Sequence, residues 1–212
     1  MGRMFCAGTD VSKSFDTPSR TVGSMFLAST ARGNALPVDA LARHSKILVA
    51  ALHGPIFGIA ATYLGHFDFI YATPEAYLSV PFSFLGLVSE GGSSVTFVKR
   101  LGLAKANEAL LFGKKLTAQD MLEAGFINKI FPSQKDTDFH ATVRNHVLSE
   151  LTSLDHGAIL GIKKLIKQGL NEQNSFDAVN TRETVGQAER LASGVPVERF
   201  NKIARKEIKH KL

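Results

Sequence analysis

Glu90 is a candidate for an acid or base that moves a proton. It stands near the end of an otherwise apolar stretch, residues 81–92 (PFSFLGLVSEGG), and no other carboxylate lies within that stretch. Apolar surroundings disfavour a charged carboxylate and raise its pKa toward the range in which one side chain can both accept and donate a proton. On the residues alone, the commoner role for such a residue is that of an acid that stabilises the dipole of the helix predicted to follow it.

Other catalytic signatures are missing from the sequence. It has no G-x-S-x-G nucleophile turn, no G-x-x-x-x-G-K-[ST] phosphate loop, no G-x-G-x-x-G fingerprint and no H-E-x-x-H motif. The seven histidines lack the spacing of metal ligands, and the single cysteine can build neither a zinc site nor an internal disulfide. A metalloenzyme and a serine hydrolase are therefore disfavoured, and the cysteine usage suits a reducing compartment.

The elements that must position Glu90 begin with short apolar runs separated by turn residues. Residues 46–52 read as a buried strand that ends at the His53-Gly54-Pro55 turn, and residues 56–64 read as a closely packed helix. Strands are predicted over 67–72 and 76–80. This strand–turn–helix–strand order favours an α/β architecture with crossover connections.

Helical patterns dominate from Gly91 onward. Thr117 has the character of a helix cap, and Gly113 and Gly125 have that of helix ends. The periodicity predicts a strand over 126–131 and helices over 93–101, 104–112, 118–124, 136–153, 156–169, 176–192 and 196–209. The chain is therefore expected to divide into a core over residues 1–133 and a C-terminal helical region over residues 134–212.

Three glycine-bearing segments resemble the enoyl-CoA hydratase/isomerase (crotonase) superfamily when they are taken in order. They are residues 5–10 (FCAGTD), 53–61 (HGPIFGIAA) and 85–94 (LGLVSEGGSS). The first resembles the family's F-x-[AS]-G-x-D turn, the second its N-G-x-x-x-G helix start and the third its L-G-x-x-x-E-G-G segment. The third looks most like that of the Δ3,Δ2-enoyl-CoA isomerases. Residues 112–118 and 124–127 continue the resemblance, which covers nearly the whole chain.

The resemblance implies an α/β fold of the ClpP/crotonase type, a spiral of ββα units followed by a C-terminal helical trimerisation region. It also implies assembly into a homotrimer or hexamer. Relatives carry further strands and a helix before the Gly8 turn, so this chain is expected to expose a sheet edge that partner subunits could cover.

An acyl-coenzyme A thioester is the substrate that the resemblance implies, with no separate cofactor, because coenzyme A is part of the substrate. The backbone N–H groups of Thr9 and Ile59 would stabilise the negative charge on the thioester oxygen. Glu90 would take a proton from C2 and return it at C4. Substrate contacts are implied at Ala7, Gly8, Asp10, Gly58, Phe82, Phe84 and Leu87, although the residues alone suggest a turn cap at Asp10.

Position 62 bears on the type of reaction. A hydratase of this family uses two glutamates, and Thr62 stands where the first would be. This difference favours an isomerase that converts 3-enoyl-CoA to trans-2-enoyl-CoA in fatty-acid β-oxidation. An enoyl-CoA hydratase, a dienoyl-CoA isomerase and a non-catalytic family member remain as alternatives.

The net charge of +6 is concentrated at the C-terminus. Residues 199–212 hold six Lys or Arg and one Glu, which leaves a charge of about +1 on the remainder. A nucleic-acid-binding surface is usually broader than one terminal segment, so no nucleic-acid partner is expected. The sequence also has no apolar run long enough for a membrane span. The final tripeptide, His210-Lys211-Leu212, resembles the signal read by the peroxisomal import receptor and predicts a peroxisomal location, or otherwise a cytoplasmic one.

Overall fold

The structure, a computed structural model, describes residues 3–10, 21–173 and 175–208, and its first helices are ones that the sequence patterns do not predict. They are α1 (Val22–Met25), a π-helical segment (Phe26–Ala35) and α2 (Leu36–Ala42). The hydroxyl of Thr21 caps α1 by accepting the N–H of Ser24. All three elements pack against a C-terminal helix over Phe176–Ala192.

In the described part of the chain, six short strands form two small sheets. They are β1 (Val49–Leu52), β2 (Ile56–Phe57), β3 (Phe69–Ala72), β4 (Tyr77–Ser79), β5 (Leu116–Thr117) and β6 (Lys129–Ile130). The first sheet has the order β1-β3-β6 and is parallel throughout. The second has the order β2-β4-β5, in which β2 and β4 are parallel and β5 is antiparallel. The predicted crossover connections between parallel strands are confirmed.

The predicted helix over residues 56–64 is wrong at its start. Ile56 and Phe57 belong to β2 because they pair with Leu78 and Ser79 of β4, and the helix α3 begins only at Ile59. Gly58 separates the two elements with φ 60° and ψ −139°, a backbone conformation that side-chain-bearing residues avoid. A strand that feeds a tight glycine turn into a helix has few residues, so its apolar pattern merges with that of the helix.

Most of the remaining helices follow the predicted pattern with shifted ends, but the helix over residues 82–85 is not predicted from the sequence. The remaining helices are α3 (Ile59–Tyr63), a 3₁₀ turn (Leu64–His66), α4 (Phe82–Leu85), α5 (Ser93–Phe112), α6 (Ala118–Glu123), α7 (Asp136–Glu150), α8 (His156–Gln173), α9 (Phe176–Ala192) and α10 (Val195–Ala204). The two helices predicted over 93–101 and 104–112 are the two segments of α5, which is kinked at Gly102. The cap at Thr117 is confirmed, because Thr117 and Asp120 form a reciprocal capping box.

Most of the core lies between the sheets and the helices α3, α5 and α6. Phe97 of α5 and Phe126 meet edge to face with their ring centroids 5.2 Å apart, and both are fully buried. A second cluster joins Phe139 and Val143 of α7 to Tyr71 of β3. Within the described residues, no helix has the length and apolar character that crossing a membrane requires. The division of the chain at residue 133 stays a prediction.

Candidate active site

Two backbone segments run side by side and end in glycine turns at one cavity. Cys6 pairs with Ile56 in a parallel bridge, and the N–H of Phe57 donates to the carbonyl oxygen of Cys6 at 3.1 Å. Each segment then reaches a glycine with positive φ, Gly8 at 76° and Gly58 at 60°. This pairing places the residue after each turn, Thr9 or Ile59, on the wall of the same cavity.

The amides of Thr9 and Ile59 are available to a ligand. Ile59 is the first residue of α3, and a first-turn amide has no acceptor within its own helix. Among the described residues, neither the Thr9 N–H nor the Ile59 N–H donates a hydrogen bond. The neighbouring N–H of Gly58 is occupied, since it donates to the carbonyl of Ser79 at 3.0 Å. The amide of Gly58 is therefore bonded to the sheet, whereas the next amide, that of Ile59, donates to no described residue.

The cavity has a volume of about 560 Å³ and a largely apolar wall. Helix α4 and the loop after it supply one side, and α10 with the residues after it supplies the other. The apolar side chains on these two sides are those of Pro81, Phe82, Phe84, Leu85, Leu87, Phe200, Ile203 and Ile208. Among the described residues that line the cavity, Glu90 is the only acid and Lys206 the only cation.

Glu90 meets this cavity with one carboxylate oxygen already engaged. The side-chain amide of Gln187 donates to Oε2 at 2.8 Å. Burial raises the pKa of Glu90 from 4.5 to about 7, against the hydrogen bond from Gln187, which lowers it, and with a further upward push from the charge of Glu183. The carboxyl group is thus poised to hold and to release a proton near neutral pH.

Glu183 is a second acid close to Glu90 with a different task. Its carboxylate accepts the N–H of Gly92 at 2.5 Å and that of Ser94 at 2.9 Å, at the start of α5. Burial raises the pKa of Glu183 in spite of these hydrogen bonds. Because both oxygens are used to cap α5 and the residue does not line the cavity, Glu183 holds the segment that carries Glu90.

Thr62 stands at the position where the family resemblance implies the first glutamate of a hydratase. Its side chain is fully buried, and its hydroxyl donates to the carbonyl oxygen of Ile59 at 2.7 Å. A Cβ atom on Gly91 would lie only 1.9 Å from the Thr62 hydroxyl oxygen, so the two residues need each other's small size. Thr62 therefore brings no carboxylate to the site.

Hydrogen bonds hold both the N–H and the carbonyl oxygen of Gly91. The side-chain oxygen of Asn34 accepts its N–H at 2.9 Å, and Nε2 of His66 lies 2.7 Å from its carbonyl oxygen. Burial lowers the pKa of His66 to about 4, so the ring is neutral at physiological pH. A carbonyl oxygen can only accept, hence Nε2 of His66 carries the proton.

Nine of the ten predicted site residues come together at the cavity, and one does not. The nine lining residues are Ala7, Gly8, Thr9, Gly58, Ile59, Phe82, Phe84, Leu87 and Glu90. Asp10 is exposed and lies outside the cavity wall. The tripeptide His210-Lys211-Leu212 falls outside the described residues. No group of three His, Cys, Asp or Glu side chains in the described part of the chain is arranged to hold a metal ion.

Several polar residues around Glu90 are absent from the prediction because they come from α9. Asn180, Glu183, Thr184 and Gln187 are buried, and they recur at helical spacing along one face. Buried polar groups are expected to have partners, so a polar stripe on a helix otherwise assigned to assembly is a sign that could have pointed to the site.

Known proteins are similar to this chain in sequence. Residues 1–194 match the family described as Enoyl-CoA hydratase/isomerase. A Δ(3,5)-Δ(2,4)-dienoyl-CoA isomerase of Pyricularia oryzae is 39% identical over 226 residues, which cover all of this chain and 80% of the relative. The 3,2-trans-enoyl-CoA isomerase of Saccharomyces cerevisiae is 32% identical over 222 residues, which cover all of this chain and 78% of that protein.

A solved structure has the same fold. The crystal structure of an enoyl-CoA hydratase/isomerase from Pseudoalteromonas atlantica superposes with a TM-score of 0.78 at 29% identity, covering all of this chain and 79% of the other. The fold and the paired glycine turns thus define a crotonase-type α/β protein. The chain belongs to the enoyl-CoA hydratase/isomerase family, as its sequence motifs indicate.

Proposed function

We propose that this protein is a Δ3,Δ2-enoyl-CoA isomerase in which Glu90 is the only acid–base residue. The observation that carries the proposal is a single carboxyl group with a pKa of about 7 in an apolar cavity that also holds two unused backbone amides. The names of the relatives from Pyricularia oryzae and Saccharomyces cerevisiae, both isomerases of enoyl-CoA thioesters, support the substrate class.

The reaction would proceed in two proton transfers. With the thioester oxygen between the amides of Thr9 and Ile59, the Glu90 carboxylate removes a proton from C2. The C–H electrons then delocalise into a dienolate whose negative charge rests largely on the thioester oxygen, where the two amides stabilise it. The protonated Glu90 returns the proton to C4, which leaves the double bond between C2 and C3. No separate cofactor enters this scheme.

Two features of the wall fit an acyl substrate. The apolar side chains of Phe82, Phe84 and Leu87 form the surface that an acyl chain would contact. The same apolar wall surrounds the half-buried Glu90 and maintains its raised pKa. The cavity is therefore suited to moving one proton within one substrate molecule.

A dienoyl-CoA isomerase is the second candidate, and the identity of 39% to the relative of that name favours it. That reaction returns the proton at C6, four bonds from C2, whereas C4 is only two bonds away. One carboxylate can reach C2 and C4 of a bound chain more readily than C2 and C6, and Glu90 is the only acid of the described cavity wall. This supports the Δ3,Δ2 reaction as the first choice.

A hydratase is less well supported, because adding water calls for a second group to position it. Thr62 supplies no carboxylate, and it is fully buried against Gly91. A non-catalytic role fits poorly with a carboxyl group whose pKa is tuned to the physiological range. Both alternatives are decided by the same set of assays.

The test is the change Glu90→Gln, assayed with 3-enoyl-CoA, 3,5-dienoyl-CoA and 2-enoyl-CoA. We expect the purified protein to isomerise 3-enoyl-CoA fastest, and the variant to lose at least about 100-fold in kcat, the usual contribution of a positioned acid or base. The control is Glu189→Gln, an exposed carboxylate on α9, which should keep the parent rate. An isomerase rate that survives Glu90→Gln would overturn the mechanism, and faster turnover of either other thioester would reassign the reaction.

We also propose import into peroxisomes through His210-Lys211-Leu212, supported by the form of that tripeptide. Imaging of an N-terminally tagged chain with and without these three residues tests the location. A tagged chain that stays in the cytoplasm with the tripeptide intact would contradict the proposal.

A further inference from the structure

One face of α9 contacts successive points of the segment that carries Glu90. Glu183 accepts the N–H groups of Gly92 and Ser94, and Gln187 contacts Val88 and Glu90. One turn further along, the Arg190 guanidinium donates to the carbonyl oxygen of Gly86 at 2.6 Å. Residues 183, 187 and 190 lie on one side of a helix, so their side chains contact the loop that carries Glu90 at successive positions. The loop's conformation is therefore set by a helix roughly one hundred residues away in sequence.

Gln187 is the member of this row that touches the reacting group, and its orientation is determined. Its side-chain oxygen accepts the backbone N–H of Val88 at 3.3 Å. Because an N–H can only donate, the oxygen end of the amide must face Val88 and the NH₂ end must face Glu90. Gln187 is 3% exposed, so water does not compete for either end of the amide.

The two oxygens of Glu90 are thereby made unequal. Oε2 accepts the Gln187 amide at 2.8 Å, whereas Oε1 accepts no hydrogen bond from another described residue. A carboxylate that must take a proton at one carbon and return it at another needs one oxygen free and the plane of the group fixed. Gln187 provides both conditions at once.

We propose that Gln187 is a positioning residue for the isomerisation: its backbone-anchored amide holds Oε2 of Glu90 and leaves Oε1 to carry the proton between C2 and C4. The part of this inference that concerns the isomerisation rests on the proposed function. The part that concerns the hydrogen bond between Gln187 and Glu90 does not. Since the amide donates to the carboxylate, it also favours the ionised form and limits how far burial raises the pKa of Glu90.

The test compares Gln187→Met with Gln119→Met. Gln119 is an exposed glutamine whose amide also donates to a glutamate, Glu123, at 2.9 Å, so the control removes the same kind of hydrogen bond away from the cavity. Carbon-13 NMR of protein labelled at the glutamate carboxyl groups follows the titration of Glu90, whose signal is identified by its absence in Glu90→Gln. We expect Gln187→Met to raise the Glu90 midpoint by about one pH unit, and Gln119→Met to leave it in place.

Kinetics supply the second readout. In Gln187→Met, kcat at pH values well above the new midpoint should remain about 10-fold below the parent value, with KM changed little, because ionisation is restored there but orientation is not. Gln187→Glu is a variant of the same size that keeps an acceptor for Val88 and replaces the donor by an acid; it should raise the midpoint further.

The two proposals fail in different ways. A protein without isomerase activity would overturn the proposed function, while the NMR titration would still decide the role of Gln187. A Glu90 midpoint in both Gln187 variants that coincides with that of the parent protein would overturn the inference about Gln187, whatever the activity.

Discussion

At the scale of single residues, Glu90 shows how a fold can make an ordinary carboxyl group useful. Its surroundings act in opposite directions: burial and the charge of Glu183 raise the pKa, and the amide of Gln187 lowers it. Burial dominates, and the result of about 7 lies where the group can exchange protons in both directions. Tuning of this kind has a thermodynamic consequence for the folded protein.

The change Glu90→Gln should stabilise the fold at neutral and higher pH. The folded state binds the Glu90 proton more tightly than the unfolded chain, so the wild-type protein loses stability as the pH rises from 4.5 to about 7. A neutral glutamine is free of this loss. We expect its free energy of unfolding to exceed that of the parent by about 1–3 kcal/mol above pH 7, and by little below pH 4.5.

Urea unfolding of both proteins across this pH range measures the difference, and m-values show whether both unfold from equally compact states. Glu189→Gln, at an exposed position of the same helix, should show no comparable growth of the difference with pH. A difference between Glu90→Gln and the parent that stays constant from pH 4.5 to above pH 7 would argue against a buried, proton-binding Glu90.

At the scale of elements, the site depends on where strands turn into helices. The second sheet ends at Gly58, whose own N–H still belongs to the sheet through Ser79, while the next amide, that of Ile59, opens α3. Because φ and ψ of Gly58 lie where only glycine is unstrained, the turn cannot be moved by one residue without displacing that amide. Catalytic geometry is thus a property of the junction rather than of a side chain.

Gly58→Ala tests this junction, with Gly102→Ala as its matched control. Both glycines have positive φ, 60° and 73°, and a Cβ at either would meet no atom within 4 Å, so both changes introduce backbone strain without a clash. Each should cost about 1–3 kcal/mol in the free energy of unfolding. Only Gly58→Ala should also lower kcat, by about 100-fold, because it displaces the Ile59 amide.

Thermal unfolding and isomerase assays on the two variants separate the effects, since Gly102 is exposed at the kink of α5 and lies outside the cavity. Equal activity in both variants would show that the Ile59 amide is not required.

The predictions from sequence succeed where local chemistry determines structure. Glycines such as Gly8, Gly58 and Gly125 are needed for positive φ, so the sequence indicates where the turns lie. Most of the cavity wall is predicted from the family resemblance that the glycine-bearing segments carry. Helix caps such as Thr117 are equally local. Glycine turns and helix caps depend on neighbouring residues and not on distant parts of the chain.

The features that the sequence does not disclose depend on distant contacts. Gln187 and Glu183 reach the loop across roughly ninety residues, and nothing near Glu90 announces them. The helices over residues 22–42 lack a regular apolar period and are held by α9, which no local pattern records. The β2 strand is predicted as part of a helix because it has only two paired residues, too few to show a strand pattern. Tertiary contacts decide these cases, so short-range patterns cannot.

At the scale of the whole molecule, α8 has lysines on its buried side and apolar residues on its exposed side, which is the reverse of an ordinary surface helix. Its buried side carries lysines: Lys163 is 6% exposed and pairs with Asp68 at 2.6 Å, and Lys167 donates to the carbonyl oxygen of Ala42 at 2.7 Å. Its outer side is apolar and solvent-exposed at Leu160, Ile162, Leu165, Ile166 and Leu170. A contiguous exposed apolar face is typical of a surface that binds another protein.

A second and third copy of this chain are the partners we expect on α8, as a homotrimer or a hexamer built from trimers. The double change Leu165→Glu with Ile166→Glu removes two side chains that are 67% and 57% exposed, so the isolated subunit should keep its fold while association weakens. Light scattering coupled to size-exclusion chromatography should show trimers or larger for the parent and mostly single subunits for the variant.

Gln119→Glu, an exposed change on α6 that also adds negative charge, should leave the mass unchanged. A parent protein that elutes as a single subunit at all concentrations would mean that the apolar face of α8 meets a different partner.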